Sequence, residues 1–256
     1  MSIARLSIVF TVTLSVLFGG PAFALETVNY LIVSEVAKPF QIEANDVSNH
    51  GVVTDIVEEI FSGSDFKLTH MVFPITRLHH EVAKKMVTNW VSYDAKAWQS
   101  FGAHGELIDI PLFEVTHALL TCDERINLIE GDSDLTGLKI ATLADFQYLR
   151  LDALAKEGKV LLVPVNGYES GILMSQHKRV HGFVEMEIRL NYNVAELGLE
   201  SDCLRYVDFG KIIPPYSIYL TVDREMSDNT KQFIRQRLMQ MKQSGVLDRI
   251  YSHWIQ

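Results

Sequence analysis

Arg77 stands in the run Pro74-Ile75-Thr76-Arg77, at the opening of a stretch with helical spacing. A cation at a helix start opposes the helix dipole by about 0.3 to 1 kcal/mol. Its position therefore asks for another reason, and a guanidinium fork gripping a carboxylate would supply one. Arg77 also precedes Glu81 by four residues, so an i,i+4 ion pair on a solvated helix face is the alternative. Phe40, Trp90, Tyr93 and Trp98 fall near expected strand ends, where α/β folds present ligands. Their rings would make platforms for a flat or cationic ligand. Trp90, which alternates with Ser92, reads instead as a core strand residue.

Further along, Thr142 to Gln147 lies between an expected strand and a helix start, which makes Thr142 and Phe146 candidates. Free backbone N–H groups at such a turn receive anionic groups, although Asp145 would equally serve there as a helix cap. Tyr168 and Glu169 occupy the next turn of this kind. Glu185 and Glu187 are candidates for a ligand amine, and Glu185 is the one assigned to the cleft. Nine histidines invite a metal reading, but His79 and His80 are adjacent and point in different directions on a helix. No metal and no cofactor is expected. Cys122 and Cys203 are the only cysteines, with neither a CxxC motif nor a Cys/His cluster. They are either a disulfide closing a loop of about 80 residues or two buried thiols.

These side chains need elements to position them. Val28 to Val33 reads as a strand, and Gly51 to Phe61 as a helix with Val53, Ile56, Val57, Ile60 and Phe61 on one face. Phe66 to Phe73 reads as a second strand, followed from Thr76 by a helix with Leu78, Val82 and Met86 on its inner face. Such alternation predicts α/β layers over a mostly parallel sheet. Ile110 to Thr121 reads as one long strand. Strands at 138–143, 160–165 and 180–184 alternate with helices at 146–156 and about 168–177. A strand at 216–222 and two amphipathic helices separated by Gly245 complete the chain. The order predicts two lobes, the second inserted in the first, with the chain crossing near 112–118 and returning near 207–221. A ligand cleft belongs between them. The expected division is 25–115 with 216–256 for the first lobe, and 116–215 for the second.

The first 24 residues predict where the protein works. Arg5 precedes an apolar run of 13 residues from Leu6 to Phe18, then Gly19-Gly20-Pro21 and Ala22-Phe23-Ala24. That is the three-part pattern of a secretory signal peptide, expected to be cleaved after Ala24. As a helix the run would span about 20 Å, short of the roughly 30 Å hydrocarbon core of a bilayer. The formal charge of the 256 residues is −9, and loss of Arg5 leaves 22 basic against 32 acidic side chains, or −10. An acidic surface argues against nucleic acid as a partner.

Several of these stretches together resemble the type II periplasmic solute-binding proteins. The likeness is to the polar amino-acid receptor family (family 3) of ABC transporters, in a divergent branch. Lys38-Pro39-Phe40 followed by Gly51-Val52-Val53-Thr54-Asp55-Ile56 looks like that family's opening, and Asp134 to Ala141 (DLTGLKIA) is similar to its "dL.Gk.va" start of the second lobe. Arg179 to Val184 matches its "grvDav" strand, and Pro214 to Leu220 resembles a return strand. Phe233 through Trp254 follows its C-terminal pattern, and Arg77 matches a "P..R" element that faces the cleft in the branch. Two departures stand out. The arginine that usually follows the first-lobe hinge strand is absent from Ala97-Trp98-Gln99-Ser100-Phe101. The usual aspartate for an α-amino group is replaced by Met186, flanked by Glu185 and Glu187. The α-amino-acid clamp is incomplete.

The resemblance implies a two-lobed α/β fold and a non-enzymatic periplasmic receptor, a monomer. It would capture a small polar ligand, amino-acid-like or carboxylate-bearing, for an ABC permease. The alternatives are a periplasmic sensor or interaction module feeding a signalling protein, and a lyase or dehydratase on the same fold. The ligand-binding residues expected are Arg77, Phe40, Trp98, Tyr93, Thr142, Phe146, Tyr168 and Glu185.

Overall fold

The computed structural model describes residues 25–255 apart from 35, 145, 200 and 201. The signal segment expected at 1–24 and the cap expected at Asp145 lie outside the described residues.

The chain begins with β1 (Glu26–Val33), a hairpin of β2 (Ile42–Ala44) and β3 (Val47–His50), α1 (Val52–Phe61) and β4 (Phe66–Phe73). It continues through α2 (Ile75–Ala83), β5 (Trp90–Ala95) and β6 (Gly105–Val115). It then enters a second unit made of β7 (His117–Thr121), β8 (Lys139–Leu143), α3 (Leu149–Lys156), β9 (Leu161–Val165), α4 (Tyr168–Gln176), β10 (Gly182–Met186), α5 (Glu187–Glu196) and β11 (Arg205–Asp208). β12 (Tyr216–Asp223) returns to the first unit, followed by α6 (Asp228–Gln243) and α7 (Val246–Trp254). One five-stranded sheet has the order β4-β1-β5-β12-β6 and the other β11-β7-β10-β8-β9. The fold is therefore two α/β lobes, the second inserted in the first.

The sheets are mixed rather than mostly parallel, which corrects the expectation from strand–helix alternation. β1 pairs in parallel with β4 and β5, and β8 with β9 and β10. β12 and β7 run antiparallel to both of their neighbours. These are the strands that arrive from the other lobe, so they enter against the direction of the local β-α-β units. The single strand expected over 110–121 is broken at Thr116 into β6 and β7, one in each sheet. Tyr216 pairs with Val115, so the two crossings lie side by side as a double hinge.

The α1 stripe is buried as its spacing requires, with Val53, Ile56, Val57, Ile60 and Phe61 in one core with Val28, Tyr30 and Ile32 of β1. Each such side chain stabilises the fold by about 1.5 to 3 kcal/mol. In the second lobe both sheet faces are covered. Leu119 and Val184 pack on one side, and Leu120 and Phe183 on the other. Met86 departs from the expected inner face of α2. The helix ends at Ala83, Lys85 has φ 55°, and Met86 is exposed. Cys122 and Cys203 form a disulfide, which ties the end of β7 to the segment before β11. Among the described residues no helix is long and apolar enough to cross a membrane.

Gly51 decides where the loop before α1 sits. Its φ is +127°, and a Cβ there would stand 2.5 Å from the Phe40 carbonyl oxygen. With glycine the helix start closes against the loop, the Val52 N–H donating to Pro39 O at 3.0 Å and the Val53 N–H to Phe40 O at 2.9 Å. Phe40 is thereby held under the cleft.

Candidate functional site

A cavity of about 670 Å³ lies between the lobes, in the size range of small-molecule sites. The first lobe contributes Tyr93 and Ser92 of β5, the segment Ala97 to Phe101 and the α2 face at Leu78 and His79. The second contributes Phe146 to Arg150, Glu185, Met186 and Arg189. His117 and Tyr216, at the two hinge crossings, complete the floor with ring centres 5.5 Å apart.

Arg189 dominates the electrostatics. It sits in the first turn of α5, whose Glu187 N–H donates to the hinge residue Thr116 at 2.9 Å. Arg189 is only 1% exposed. Its guanidinium lies 4.7 Å from the Phe40 ring centre and 5.3 Å from that of Phe146. Nη2 donates to the Tyr93 hydroxyl at 3.4 Å, a long bond. Nε and Nη1 are buried with no hydrogen-bond partner. An unmade bond of this kind costs about 1 to 3 kcal/mol, more for a charged group.

Glu185, also 1% exposed, is the penultimate residue of β10 and faces the same space. Its Oε1 accepts from the Met186 N–H at 2.9 Å and lies 3.7 Å from Arg189 Nη1. Its Oε2 accepts from the Tyr148 hydroxyl at 3.1 Å. Burial pushes the Glu185 carboxyl above the usual range, against the opposing pull of Arg189. His117 has a buried Nδ1 without a partner, and burial, with the Arg189 charge adding, pulls its imidazole down to about 4. Asp94 behind the wall is raised by burial and accepts from the Ala95 N–H at 2.8 Å and from the Ser100 N–H and hydroxyl at 2.9 Å each. Among the described residues no group of three or more His, Cys, Asp or Glu side chains is placed to hold a metal ion.

Four of the residues expected to bind ligand line the cavity: Tyr93, Trp98, Phe146 and Glu185. Trp98 also donates from Nε1 to the Tyr216 hydroxyl at 3.2 Å. Phe40 and Tyr168 stand behind that wall. Phe40 packs on Arg189, and the Tyr168 hydroxyl donates to Val36 O across the lobes at 2.9 Å. Thr142 is buried within β8 and is not part of the cavity lining. Arg77 is also away from it, 66% exposed at its side chain and paired with Glu81 at 3.2 Å. That is the i,i+4 alternative its spacing offered. Glu187, the second acid, belongs to the helix rather than the strand.

Sequence reasoning missed Arg189, His117, Tyr148 and Tyr216, and it missed α5 altogether. The signal for Arg189 was present. The dipole penalty argued for Arg77 applies equally to an arginine between Ile188 and Leu190 in a helix's first turn. Its spacing of four from Glu185 gave it a partner.

No protein-family profile matches the chain, and no curated protein sequence matches it. Solved structures do. An ancestral amino acid-binding protein, a precursor of cyclohexadienyl dehydratase, superposes with a TM-score of 0.67 at 15% identity, covering 90% of this chain and 96% of that one. ArgBP from T. maritima, as a mutant, gives 0.66 at 15% identity over 89% and 94%. The periplasmic VFT2 domain of BvgS from Bordetella pertussis gives 0.67 at 14% identity over 89% and 93%. Identity this low speaks for the fold alone, and the chain has the two-lobed type II periplasmic-binding-protein fold.

Proposed function

We propose that the protein is a receptor that captures a small carboxylate-bearing solute between its lobes and closes over it. The observation that carries this reading is Arg189, a buried guanidinium at the wall of the interlobe cavity with two nitrogens that make no hydrogen bond. A ligand carboxylate has the matching fork of acceptors. Arg189 comes from the second lobe, and Phe40 and Tyr93 come from the first. A solute touching both sides would favour the closed form, and that differential affinity is the signal a partner reads. The binding proteins among the similar structures support a ligand-binding role. The signal-peptide pattern at Met1 to Ala24 supports a periplasmic setting. In that setting the partner would be an ABC permease.

Contacts outside the cavity favour a second reading for the partner. Lys38 pairs with Glu196 at 2.7 Å, and Tyr168 donates to Val36 O, so the chain's own groups draw the lobes together. A closed form supported in this way suits a sensor module that feeds a signalling protein.

A thermal-shift screen against amino acids, polyamines, organic acids and aromatic acids tests the receptor reading. A ligand at 100 times its Kd adds roughly 2.7 kcal/mol of stability, a rise of a few degrees. A stabilising ligand recovered unchanged after incubation supports a receptor. Its conversion to product would make the protein an enzyme instead.

A further inference from the structure

We infer that the solute is an organic acid with a planar, aromatic body and no ammonium group. This rests on the receptor reading above and narrows it. An α-amino acid brings two charges, and each needs a partner as the cleft closes, because an unpaired ion out of water is expensive. The carboxylate has its partner in Nε and Nη1 of Arg189, neither of which makes a hydrogen bond. The ammonium finds none. Glu185 is the one side-chain carboxylate among the described residues lining the cavity. It already accepts from Met186 and Tyr148 and already offsets Arg189. An ammonium placed there would compete with the guanidinium for a single negative charge.

Rings can also hold a cation by their faces. Here the faces of Phe40 and Phe146 are taken by Arg189 itself, at 4.7 and 5.3 Å, and Tyr93 and Tyr216 lie close enough to its positive charge for an ammonium set over them to be repelled. What the cavity still offers is the flat surface of Tyr93, Trp98 and Tyr216, linked edge-to-face at 6.3 and 5.8 Å between ring centres. Such a wall packs best against another planar apolar group.

Three probes separate the possibilities on one skeleton: L-phenylalanine, L-phenyllactate and 3-phenylpropanoate, with ammonium, hydroxyl or hydrogen at the α-carbon. Titration calorimetry on the protein purified from expression of the full chain should show the two acids without ammonium binding at least about ten-fold more tightly than phenylalanine. Arg189→Lys, which keeps the charge and loses the fork, should weaken the acids by a similar factor. The comparison among probes uses the unaltered protein, so it stands even if that variant fails to fold. Phenylalanine binding as tightly as its deamino analogues would overturn the inference and leave the receptor reading intact. Should all three probes fail to bind, the wider screen decides. Hits confined to other aromatic acids without ammonium support the inference, and hits among amino acids, amines or purely aliphatic acids overturn it. No hit of any kind overturns the receptor reading itself.

Discussion

The guanidinium of Arg189 lies 4.7 Å from the centre of the Phe40 ring, and the two residues belong to different lobes. Phe40 is fixed by the loop that Gly51 allows to close, and Arg189 by the start of α5 against the hinge at Thr116. A desolvated cation–π contact contributes about 2 kcal/mol, and here it exists only while the lobes are together. Separating them would take the Phe40 ring away from the guanidinium and leave it only Phe146 and Glu185 of its own lobe. On the receptor reading, closing the cleft would therefore complete the burial of this charge.

Removing that charge should expose its cost. Arg189→Met leaves Glu185 buried without its counter-ion and is expected to destabilise the protein by about 3 to 5 kcal/mol. Adding Glu185→Gln in the same chain should recover roughly half of the loss, since the stranded charge is gone. Urea unfolding of the parent, both single variants and the double variant measures the coupling. Additive single effects would mean that the pair does not interact. Arg77→Ala serves as the contrast. Its exposed pair with Glu81 is worth under about 1 kcal/mol, and ligand affinity should not change.

Gly51→Ala acts on the same assembly from the first lobe. The new Cβ meets the Phe40 carbonyl at 2.5 Å in a backbone conformation that side chains rarely adopt. The loop must shift, at a cost of about 1 to 3 kcal/mol, and Phe40 moves with it. The expected result is a lower melting temperature together with weaker ligand binding. A variant that melts lower but binds normally would show that Phe40 does not help to place Arg189.

The lobes were legible because each rests on a periodic signal. The α1 stripe, the β4 run and the Gly245 break between α6 and α7 are all local patterns, and they appear where the spacing puts them. Sheet direction was not legible in the same way, because β12 and β7 take their partners from distant parts of the chain. In the site, Tyr93, Trp98, Phe146 and Glu185 could be reached by asking which residues fall near strand ends. Arg189 carried the same helix-start signal as Arg77, but that signal counts only once a helix is assigned there, and α5 follows β10 without a loop to mark its start. His117 and Tyr216 matter only because two crossings meet, which is a property of topology rather than of spacing.

The Cys122–Cys203 bond closes a loop of 81 residues inside the second lobe. On the chain-entropy estimate it stabilises the protein by about 4.5 kcal/mol. Neither cysteine lines the cavity. Replacing both by serine should therefore lower the unfolding free energy by an amount of that order while ligand affinity per folded molecule stays the same. Loss of affinity in variant protein that is still folded, by circular dichroism, would show that the bond also shapes the cleft.

His117 predicts the acid limb of stability. An ordinary histidine takes up its proton near 6.5, whereas buried His117, with Arg189 opposing protonation and the Tyr216 ring beside it, waits until about 4. Between those values the unfolded chain binds a proton that the folded chain does not, so stability is full above pH 6.5 and falls as the pH falls. The slope approaches about 1.4 kcal/mol per pH unit. Glu185 has the opposite sign, since its raised carboxyl keeps a proton that the unfolded chain gives up. Its contribution is complete below 4.5 and fades as the pH rises through its folded value. His117→Gln removes only the first of these effects. His70 and His79, both also lowered by burial, stay in parent and variant alike and cancel in the comparison. Urea unfolding from pH 7 down to 4.5 should thus show the parent losing stability faster than the variant, by about 2 to 3 kcal/mol over the range. Two curves that remain parallel would mean that His117 titrates normally in the folded protein and that its burial at the floor of the cleft does not keep it neutral.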